Sequence, residues 1–264
     1  MMQEKQERSI AEIQQYWEER AVLGQESGSR DVIAKVIEIE AIAKYVKEGM
    51  RILEIGCGNG ITAIELAKRF QVDILGLDYA QKMVQAARSL VAKETLLGKI
   101  DFMVGDVGML PELETRYDLI YTERVLINLE SWEAQKKAIA DITGLLRPGG
   151  VYAMCENSVD GLGKINELRE LVGLPAITPP WHNIYFRDDD LRELKIPGIQ
   201  LEKVDCYSAT YYFLSRVVNA WLAQEEGQEP SYDAAVNRLA LKLPALGDTA
   251  QGRIWLWRKQ QSDN

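Results

Sequence analysis

Histidine and cysteine are scarce in this chain of 264 residues, which has one histidine and three cysteines. The single histidine, His182, excludes the histidine-rich classes of metal site. The cysteines, Cys57, Cys155 and Cys206, are too widely separated for a zinc motif, and their odd number does not suit a disulfide framework. Separated cysteines are typical of a reducing compartment. We therefore expect a cytoplasmic protein without a metal site.

Long apolar runs and an excess of basic residues are also missing. The N-terminal sequence MMQEKQERS is charged, and no apolar stretch follows it, which predicts neither a signal peptide nor a membrane span. The net charge is −9, and an acidic chain of this kind is poorly suited to sequence-independent binding of phosphate backbones. We expect no nucleic-acid partner and no membrane partner.

Short apolar runs alternate with helical patterns through the first part of the chain. This alternation is typical of βαβ units around a parallel sheet, and continuous apolar strands suit a sheet that is covered on both faces. The predicted strands are Met50–Ile55, Val72–Leu77, Lys99–Val104, Tyr117–Tyr121 and Val151–Cys155. The predicted helices are Ile61–Arg69, Tyr79–Lys93 and Ser131–Leu146, preceded by Asp31–Glu48 and by a helix that a capping box opens at Ser9 and that runs to about Arg20.

The pattern changes after the fifth predicted strand. The segment Glu156–Gly198 is rich in proline, glycine and aromatic residues and predicts only short helices. Beyond it we predict a strand at Gln200–Tyr207, helices at Tyr211–Gln224 and Tyr232–Leu243, and a closing strand at Arg253–Lys259.

The sequence LEIGCGNG, residues 53–60, ends the first predicted strand in a turn with three glycines. Such a turn lets a ligand approach the backbone closely. A dinucleotide fingerprint needs its third glycine where Ile61 stands, and a phosphate loop needs Gly-Lys-Ser/Thr, so the turn suits a ligand without a pyrophosphate. Asp78 ends the next strand, where a carboxylate can accept hydrogen bonds from a ribose diol; the alternative is a helix cap. Asp106 follows the third strand and is placed to meet an adenine edge.

These segments together resemble those of the class I S-adenosylmethionine-dependent methyltransferases. LEIGCGNG is similar to the first motif of that family, LGLDYA to its acidic motif and FMVGDV to its adenine-contacting motif. The segments YDLIYTERVLINL and LLRPGGVYAMCE are similar to its fourth and fifth strands. The resemblance covers residues 34–156. It implies an α/β fold with a doubly wound, seven-stranded, mostly parallel Rossmann-like sheet, N-terminal helices and a helical cap.

The resemblance also implies S-adenosyl-L-methionine as cofactor. In it the three glycines flank the methionine part, Asp78 holds the ribose hydroxyls, and Asp106 accepts from the adenine amino group. The implied cofactor-binding residues are Glu54, Gly56, Cys57, Gly58, Asn59, Gly60, Asp78, Tyr79, Met83, Asp106, Val107, Thr122 and Glu123. Tyr16 and Trp17 resemble lid segments that cover the cofactor; the alternative is an amphipathic helix that packs Trp17 onto the domain.

A methyltransferase mainly aligns the acceptor and, where necessary, removes its proton. In the segment PPWHNIYF, His182 has an ordinary pKa that suits a general base, and the alternative is a structural histidine. Glu156, just after the fifth strand, is a second catalytic candidate, or else part of a helix-capping loop. The predicted acceptor-binding residues are Arg124, Asn128, Asn183, Tyr185, Tyr211, Tyr212 and Arg216. Arg216 beside tyrosines could clamp an anionic or sugar-like group, whereas core packing is the alternative for the tyrosines.

The sequence indicates the broad chemical class of the methyl acceptor. The loop after the fourth strand reads YTER instead of the Asn/Asp-Pro-Pro-aromatic motif of nucleic-acid amino methyltransferases. The chain looks similar to bacterial glycan and secondary-metabolite methyltransferases, so we expect a small-molecule or glycan acceptor that is methylated on oxygen or nitrogen. A protein or peptide methyltransferase and a non-catalytic cofactor-binding regulator are the alternatives. The sequence leaves monomer and homodimer open.

We predict one domain over 1–264, with lid helices at 1–48, a cofactor-binding half at 49–156, an acceptor-side cap at 157–198 and 209–250, and final strands at 199–208 and 251–260.

Overall fold

A computed structural model describes residues 10–20, 30–113 and 116–261 of the chain. Ser9 of the predicted capping box, and residues 1–9 and 21–29 of the predicted lid segment, lie outside these ranges. The described residues form a seven-stranded sheet in the order β3-β2-β1-β4-β5-β7-β6. The strands are β1 Arg51–Ile55, β2 Asp73–Asp78, β3 Lys99–Val104, β4 Tyr117–Glu123, β5 Leu146–Asn157, β6 Ile199–Asp205 and β7 Gly252–Lys259.

The first five strands pair in parallel, and β7 is antiparallel to both β5 and β6. This mostly parallel seven-stranded sheet confirms the predicted fold class. The helices are α1 Ile10–Arg20, α2 Val32–Ala43, α3 Ile61–Arg69, α4 Gln81–Val91, α5 Trp132–Gly144, α6 Val159–Leu171, α7 Asp188–Glu193, α8 Ala209–Phe213 and α9 Asn219–Glu225. A π-helical segment, Leu214–Val218, joins α8 to α9.

Both faces of the sheet are covered, as the continuous apolar strands predict. On one face, Ile42 of α2, Leu66 of α3 and Val84 of α4 pack into a buried cluster. On the other face, Ile139 of α5 and Trp255 of β7 belong to a second cluster. At about 25 cal/mol per Å² of apolar surface removed from water, these two layers supply the main stabilisation of the domain.

Two predictions about the second part of the chain are wrong. The segment Glu156–Gly198 contains the thirteen-residue helix α6, because the Ser158 hydroxyl caps it by accepting the N–H of Gly161 at 3.1 Å. The predicted helix Tyr232–Leu243 is reduced to a 3₁₀ turn at Asn237–Leu241. The amide of Asn237 donates to the carbonyl oxygens of Ser231 and Tyr232, at 3.2 and 2.9 Å. A side chain that binds nearby carbonyls in this way competes with helix formation.

The strand order reverses between β1 and β4, so their carboxyl ends leave a crevice between loops that run to opposite faces of the sheet. In open α/β sheets this is where ligands bind. Within the described ranges, every helix is too short or too polar to cross a membrane.

Candidate active site

A cavity of about 910 Å³ lies at the crevice between β1 and β4. Its walls come from the turn after β1, the ends of β2 and β3, the loop after β4, helices α1 and α2, and the segment around His182. Cavities of about 300–1,000 Å³ are typical of small-molecule and cofactor sites. Most of the predicted site residues line this cavity. Gly60, Thr122, Glu156 and Tyr211 do not.

The glycine turn brings bare backbone to the cavity. Gly56, Gly58 and Gly60 all have positive φ, a conformation that glycine adopts without strain. A Cβ at Gly56 would lie 2.1 Å from a methyl carbon of Val125, whereas the corresponding position at Gly58 has no atom within 4 Å. A side chain at Gly58 would therefore occupy open space beside the turn. At Gly60 a Cβ would collide with the ring of Phe102 at 2.5 Å, so this glycine serves packing and is not part of the cavity wall.

Asp78 connects the glycine turn to the end of β2. One carboxylate oxygen accepts the backbone N–H of Gly58 at 2.8 Å, and the other accepts that of Ala80 at 2.9 Å. Burial raises the pKa of this carboxyl to about 6, although the two N–H groups lower it. The carboxylate lines the cavity, together with the predicted adenine-side residues Tyr79, Met83, Asp106 and Val107. The helix-cap alternative is wrong, because the N-cap of α4 is Ala80 and no side chain caps this helix. Asp78 instead connects the turns after β1 and β2 and lines the cavity.

Glu54 is a buried carboxyl in the cavity wall, and it is 2% exposed. Its Oε2 atom has no hydrogen-bond partner among the described residues. Burial raises the pKa of Glu54 to about 8, because the charged form has lost its water. A cationic group in the cavity would supply the missing partner and favour the charged form.

Helix α2 presents charged residues to the cavity, because Asp31, Lys35 and Glu38 are spaced four and three residues apart and share a face. Lys35 forms an ion pair with Glu123, and Arg124 Nη2 lies 3.1 Å from Glu38 Oε2. Burial raises the pKa of Glu38 to about 8, despite the nearby Arg124. For Glu123 the effect of burial is outweighed by Lys35, Glu38 and Arg124, and its pKa is lowered. Burial therefore favours the protonated form of Glu38, whereas the cations around Glu123 favour its charged form.

Arg124 is held in an unusual backbone conformation at the end of β4. Its φ is +58°, the only positive value among the described residues other than glycine, and such a conformation costs about 1–3 kcal/mol. Its N–H donates to the carbonyl of Cys155 at 2.8 Å, which fixes the turn. Strained residues of this kind occur mainly at functional sites, where the surroundings hold them.

The position of Glu156 does not agree with the catalytic role that was predicted from the sequence. The side chain is fully buried and lies outside the cavity wall. Its carboxylate accepts the backbone N–H groups of Val125, Leu126 and Ile127, at 3.1, 3.0 and 3.3 Å. These bonds occupy the carboxylate and fix the loop that follows β4. Glu156 thus holds the loop after β4 in place from outside the cavity wall. Thr122 is also buried behind the wall, where its hydroxyl meets that of Tyr152 at 2.9 Å.

His182 lines the cavity and is 8% exposed. Its ring lies 4.9 Å from the Tyr16 ring and 6.2 Å from the Trp17 ring, and the ring of its neighbour Trp181 lies 5.3 Å away. Both interpretations of His182 therefore retain support: it borders the ligand space, and it anchors α1.

Helix α1 lines the cavity and is fixed at a second point. The carboxylate of Glu18 accepts the backbone N–H groups of Gln81 and Lys82, at 2.9 and 3.2 Å. These are the first residues of α4, where a negative charge is favoured by the helix dipole and by unpaired N–H groups. Tyr16 and Trp17 line the cavity, in agreement with the lid predicted from the sequence.

Amide and hydroxyl groups form another part of the cavity wall. Asn183 donates to Asn128 at 3.1 Å, and Gln251 donates to the hydroxyl of Tyr185 at 3.1 Å. Asn157 also lines the cavity here. Gln251 was missed from the sequence, because it precedes the last strand and belongs to no local motif. The charged residues of α2 were also missed, although three charges on one face of an apolar helix are a readable signal. The described residues contain no cluster of side chains suited to a metal ion.

Comparison with known proteins is consistent with this geometry. Residues 52–150 match the family model described as a methyltransferase domain. The O-methyltransferase rstn1 of Aspergillus nomiae is 26% identical over 135 residues, which are 48% of this chain and 59% of the relative. A sterol 24-C-methyltransferase of Pneumocystis carinii is 32% identical over 116 residues, which are 44% of this chain and 30% of the relative. The chain thus spans less than two thirds of the length of either relative.

A solved structure extends the similarity to the whole fold. Phosphoethanolamine N-methyltransferase 1 of Haemonchus contortus, in complex with phosphoethanolamine and S-adenosylhomocysteine, superimposes with a TM-score of 0.59 at 15% identity. The superposition covers 96% of this chain and 50% of that chain. These findings agree with the predicted family of class I S-adenosylmethionine-dependent methyltransferases: residues 52–150 match a methyltransferase domain, and the chain shares its Rossmann-like fold with a solved methyltransferase. The names of the relatives support the predicted enzyme class.

Proposed function

We propose that this protein transfers the methyl group of S-adenosylmethionine to a small polar acceptor. The observation that carries the proposal is the cavity itself, because its wall combines the glycine turn, Asp78 and the unpaired carboxyl oxygen of Glu54 within the matched methyltransferase domain. This set fits a ligand with a ribose, a cationic amine and no phosphate.

The residues present fit two polar groups of the cofactor. Asp78 would hold the ribose hydroxyls, while Glu54 would accept a hydrogen bond from the methionine ammonium group. Gly58 leaves open space beside the turn for close approach of the ligand. The cofactor supplies a methyl group already activated on a sulfonium centre. The work left to this chain is to align the acceptor, exclude water and, for a hydroxyl acceptor, take up a proton.

The acceptor side of the cavity supports a polar small molecule. Asn128, Asn157, Asn183 and Gln251 offer amide donors and acceptors, which suit a sugar or another acceptor with several hydroxyl groups. His182 borders this wall and is proposed as the base or the orienting residue. The relatives carry out O-, C- and N-methylation by name, so the atom that is methylated is left open.

The test has two stages. Calorimetry with S-adenosylhomocysteine should give saturable binding, and its absence would refute the proposal. Incubation with cell extract and labelled S-adenosylmethionine should then transfer label to a small molecule that mass spectrometry identifies. Label on a polypeptide would indicate a protein methyltransferase instead. Binding without any transfer of label would favour a non-catalytic regulator.

A further inference from the structure

We propose that the acceptor carries a carboxylate group, and that Arg216 and Arg124 bind this group at the acceptor end of the cavity. The acceptor end is defined here by Tyr185 and Tyr212, which line the cavity together with both arginines. The inference rests on the proposed function, since it specifies the chemistry of the molecule that receives the methyl group.

Arg216 is built into the cavity wall by the π-helical segment between α8 and α9. π-Helical segments are rare in proteins, and those that do occur are often found at functional sites. The guanidinium carbon lies 5.2 Å from the ring centre of Tyr212 and 5.0 Å from that of Tyr232. The carbonyl of Arg216 accepts a hydrogen bond from the buried Arg169. The aromatic rings and this bond hold the arginine in one place, so little order has to be imposed when a ligand binds.

The guanidinium of Arg216 retains donors for a ligand. It has five N–H groups. Nη1 donates to the Ser215 hydroxyl at 2.7 Å and Nη2 to Asp31 Oδ2 at 3.0 Å, which leaves three. Asp31 is the N-cap of α2, and its carboxylate also accepts from Ala34 at 3.0 Å. Asp31 therefore holds the guanidinium at Nη2 and leaves its other N–H groups available.

Arg124 supplies a second donor. Its Nη2 group binds Glu38, while its buried Nε atom has no hydrogen-bond partner among the described residues. A buried polar group without a partner is costly, and a ligand that accepts from it would remove that cost. The side chain lines the cavity.

Both arginines affect the pKa of the same two tyrosines, Tyr185 and Tyr212. The positive charges of Arg124 and Arg216 each lower the pKa of Tyr185 and of Tyr212, against the larger effect of burial. Glu38 is the carboxyl that raises the pKa of Tyr212, and burial raises its own pKa, which favours its uncharged form. The space beside the phenols thus has two fixed positive charges, which Asp31 and Glu123 balance only in part. An anion placed there would be attracted, and it would meet donors with planar geometry.

A carboxylate suits this site better than a phosphate. Asp31 already compensates part of the charge of Arg216, and Glu123 lies 3.9 Å from Arg124. These two carboxylates would repel the second negative charge of a phosphate monoester. A single charge matched to two planar guanidinium groups is the simpler fit.

The experiment compares probes that differ only in charge. Protein saturated with S-adenosylhomocysteine is titrated with D-glucuronate and D-glucuronamide, and with 4-hydroxybenzoate and 4-hydroxybenzamide, and binding is followed by ligand-observed NMR. D-glucose 6-phosphate is the phosphate probe. We expect the carboxylate of at least one pair to bind about tenfold or more tightly than its amide, as a charge-assisted hydrogen bond allows.

Three variants test the residues. Arg216→Gln should abolish the preference for the carboxylate, and Asp31→Asn, which keeps the helix cap but removes the competing charge, should increase it. Arg192→Gln, at an exposed residue on α7 that pairs with Asp189, should leave it unchanged. Unaltered affinity for S-adenosylhomocysteine shows that each variant is folded. Equal binding of acid and amide to the wild type, or tighter binding of the phosphate probe, would overturn the proposal. Failure of the wild type to bind S-adenosylhomocysteine would instead refute the proposed function on which it rests.

Discussion

The ring of Tyr16 lies over that of His182, with 4.9 Å between the ring centres and 36° between the ring planes. One residue belongs to α1 and the other to the loop after Pro180, so a helix from the start of the chain closes on a loop from its second half. Because Glu18 also binds the first turn of α4, α1 connects α4 to the loop that carries His182. Helix α1, which carries the predicted lid residues, and the proposed catalytic histidine are therefore in direct contact.

The first prediction concerns this contact. Tyr16→Ala should speed the dissociation of S-adenosylhomocysteine, because an aromatic pair contributes about 0.5–1.5 kcal/mol, which corresponds to about a two- to tenfold change. Tyr16→Phe keeps the ring and serves as control. Stopped-flow displacement measures the rates. If Tyr16→Ala and the wild type release the ligand at the same rate, α1 does not retain it.

The second prediction concerns Asp78. In Asp78→Ala, affinity for S-adenosylhomocysteine should fall by about 1–3 kcal/mol, since buried partners are left without their acceptor. Asp73→Ala is the matched control, because Asp73 is exposed and lies at the other end of the same strand, outside the cavity wall. Calorimetry gives both affinities. An unchanged affinity in folded Asp78→Ala protein would rule out the assigned role.

The third prediction concerns pH and Glu54. The pKa of this carboxyl is about 8 in the folded protein and ordinary in the unfolded chain, so its contribution to stability is complete below about pH 4.5 and is lost as the pH rises to about 8. Without ligand, the change from pH 5.5 to pH 8 should cost on the order of 3 kcal/mol through Glu54. Glu54→Gln should remove this part of the pH dependence. Urea unfolding at both pH values measures it.

Glu65→Gln is the control for Glu54, because Glu65 is a half-exposed residue of α3 paired with Lys68. It should leave the pH dependence as in the wild type. Parallel pH profiles for Glu54→Gln and the wild type would show that Glu54 has no raised pKa.

The fourth prediction concerns His182 as a base. His182→Gln should keep its affinity for S-adenosylhomocysteine and lose turnover about 100- to 10,000-fold on a hydroxyl acceptor. On a neutral amine the loss should be smaller, because less proton removal is needed. Turnover is measured by transfer of label to the acceptor identified from extract. Intact turnover with a lowered melting temperature would make His182 an anchor for α1 alone.

The fifth prediction uses two glycines of α6. A Cβ at Gly161 would lie 1.9 Å from the carbonyl oxygen of Ala250, whereas the position at Gly163 has no atom within 4 Å. Gly161→Ala should destabilise the protein by about 1–3 kcal/mol through overpacking. Gly163→Ala should stabilise it by about 0.5–1 kcal/mol, since alanine is the better helix former. Thermal unfolding of both variants gives the comparison, and a stable Gly161→Ala protein would show that α6 can move away from Ala250.

The cofactor half could be predicted closely from the sequence, because its signals are local. Continuous apolar runs mark buried parallel strands, and the glycines, Asp78 and Asp106 stand at fixed distances from them. All of these residues except Gly60 line the cavity. Ser131 caps α5 by accepting the N–H of Ala134 at 3.1 Å, which a short polar residue before an apolar period predicts.

The acceptor half was harder to predict, because its residues are determined by long-range contacts. Asn237 ends a helical pattern by binding two carbonyls. Glu156 stands at the right strand end for a catalytic carboxyl, yet three backbone N–H groups from another loop turn it away from the cavity. Tyr211 faces Asp31, 180 residues upstream, and lies outside the cavity wall. Nothing in the neighbouring sequence reveals these partners.

The position of β7 determines when the sheet can be completed during synthesis. Among the strands that the structure describes, β6 pairs only with β7, and β5 pairs with β7 along its whole second half. Until residues 252–259 leave the ribosome, β6 has no place in the sheet and the partners of Trp255 and Trp257 are exposed. The nascent chain must therefore keep one edge of β5 open while the cofactor half is already able to fold. A chain shortened before Gly252 would lose an interior strand, so chaperones and proteases should recognise it as unfinished.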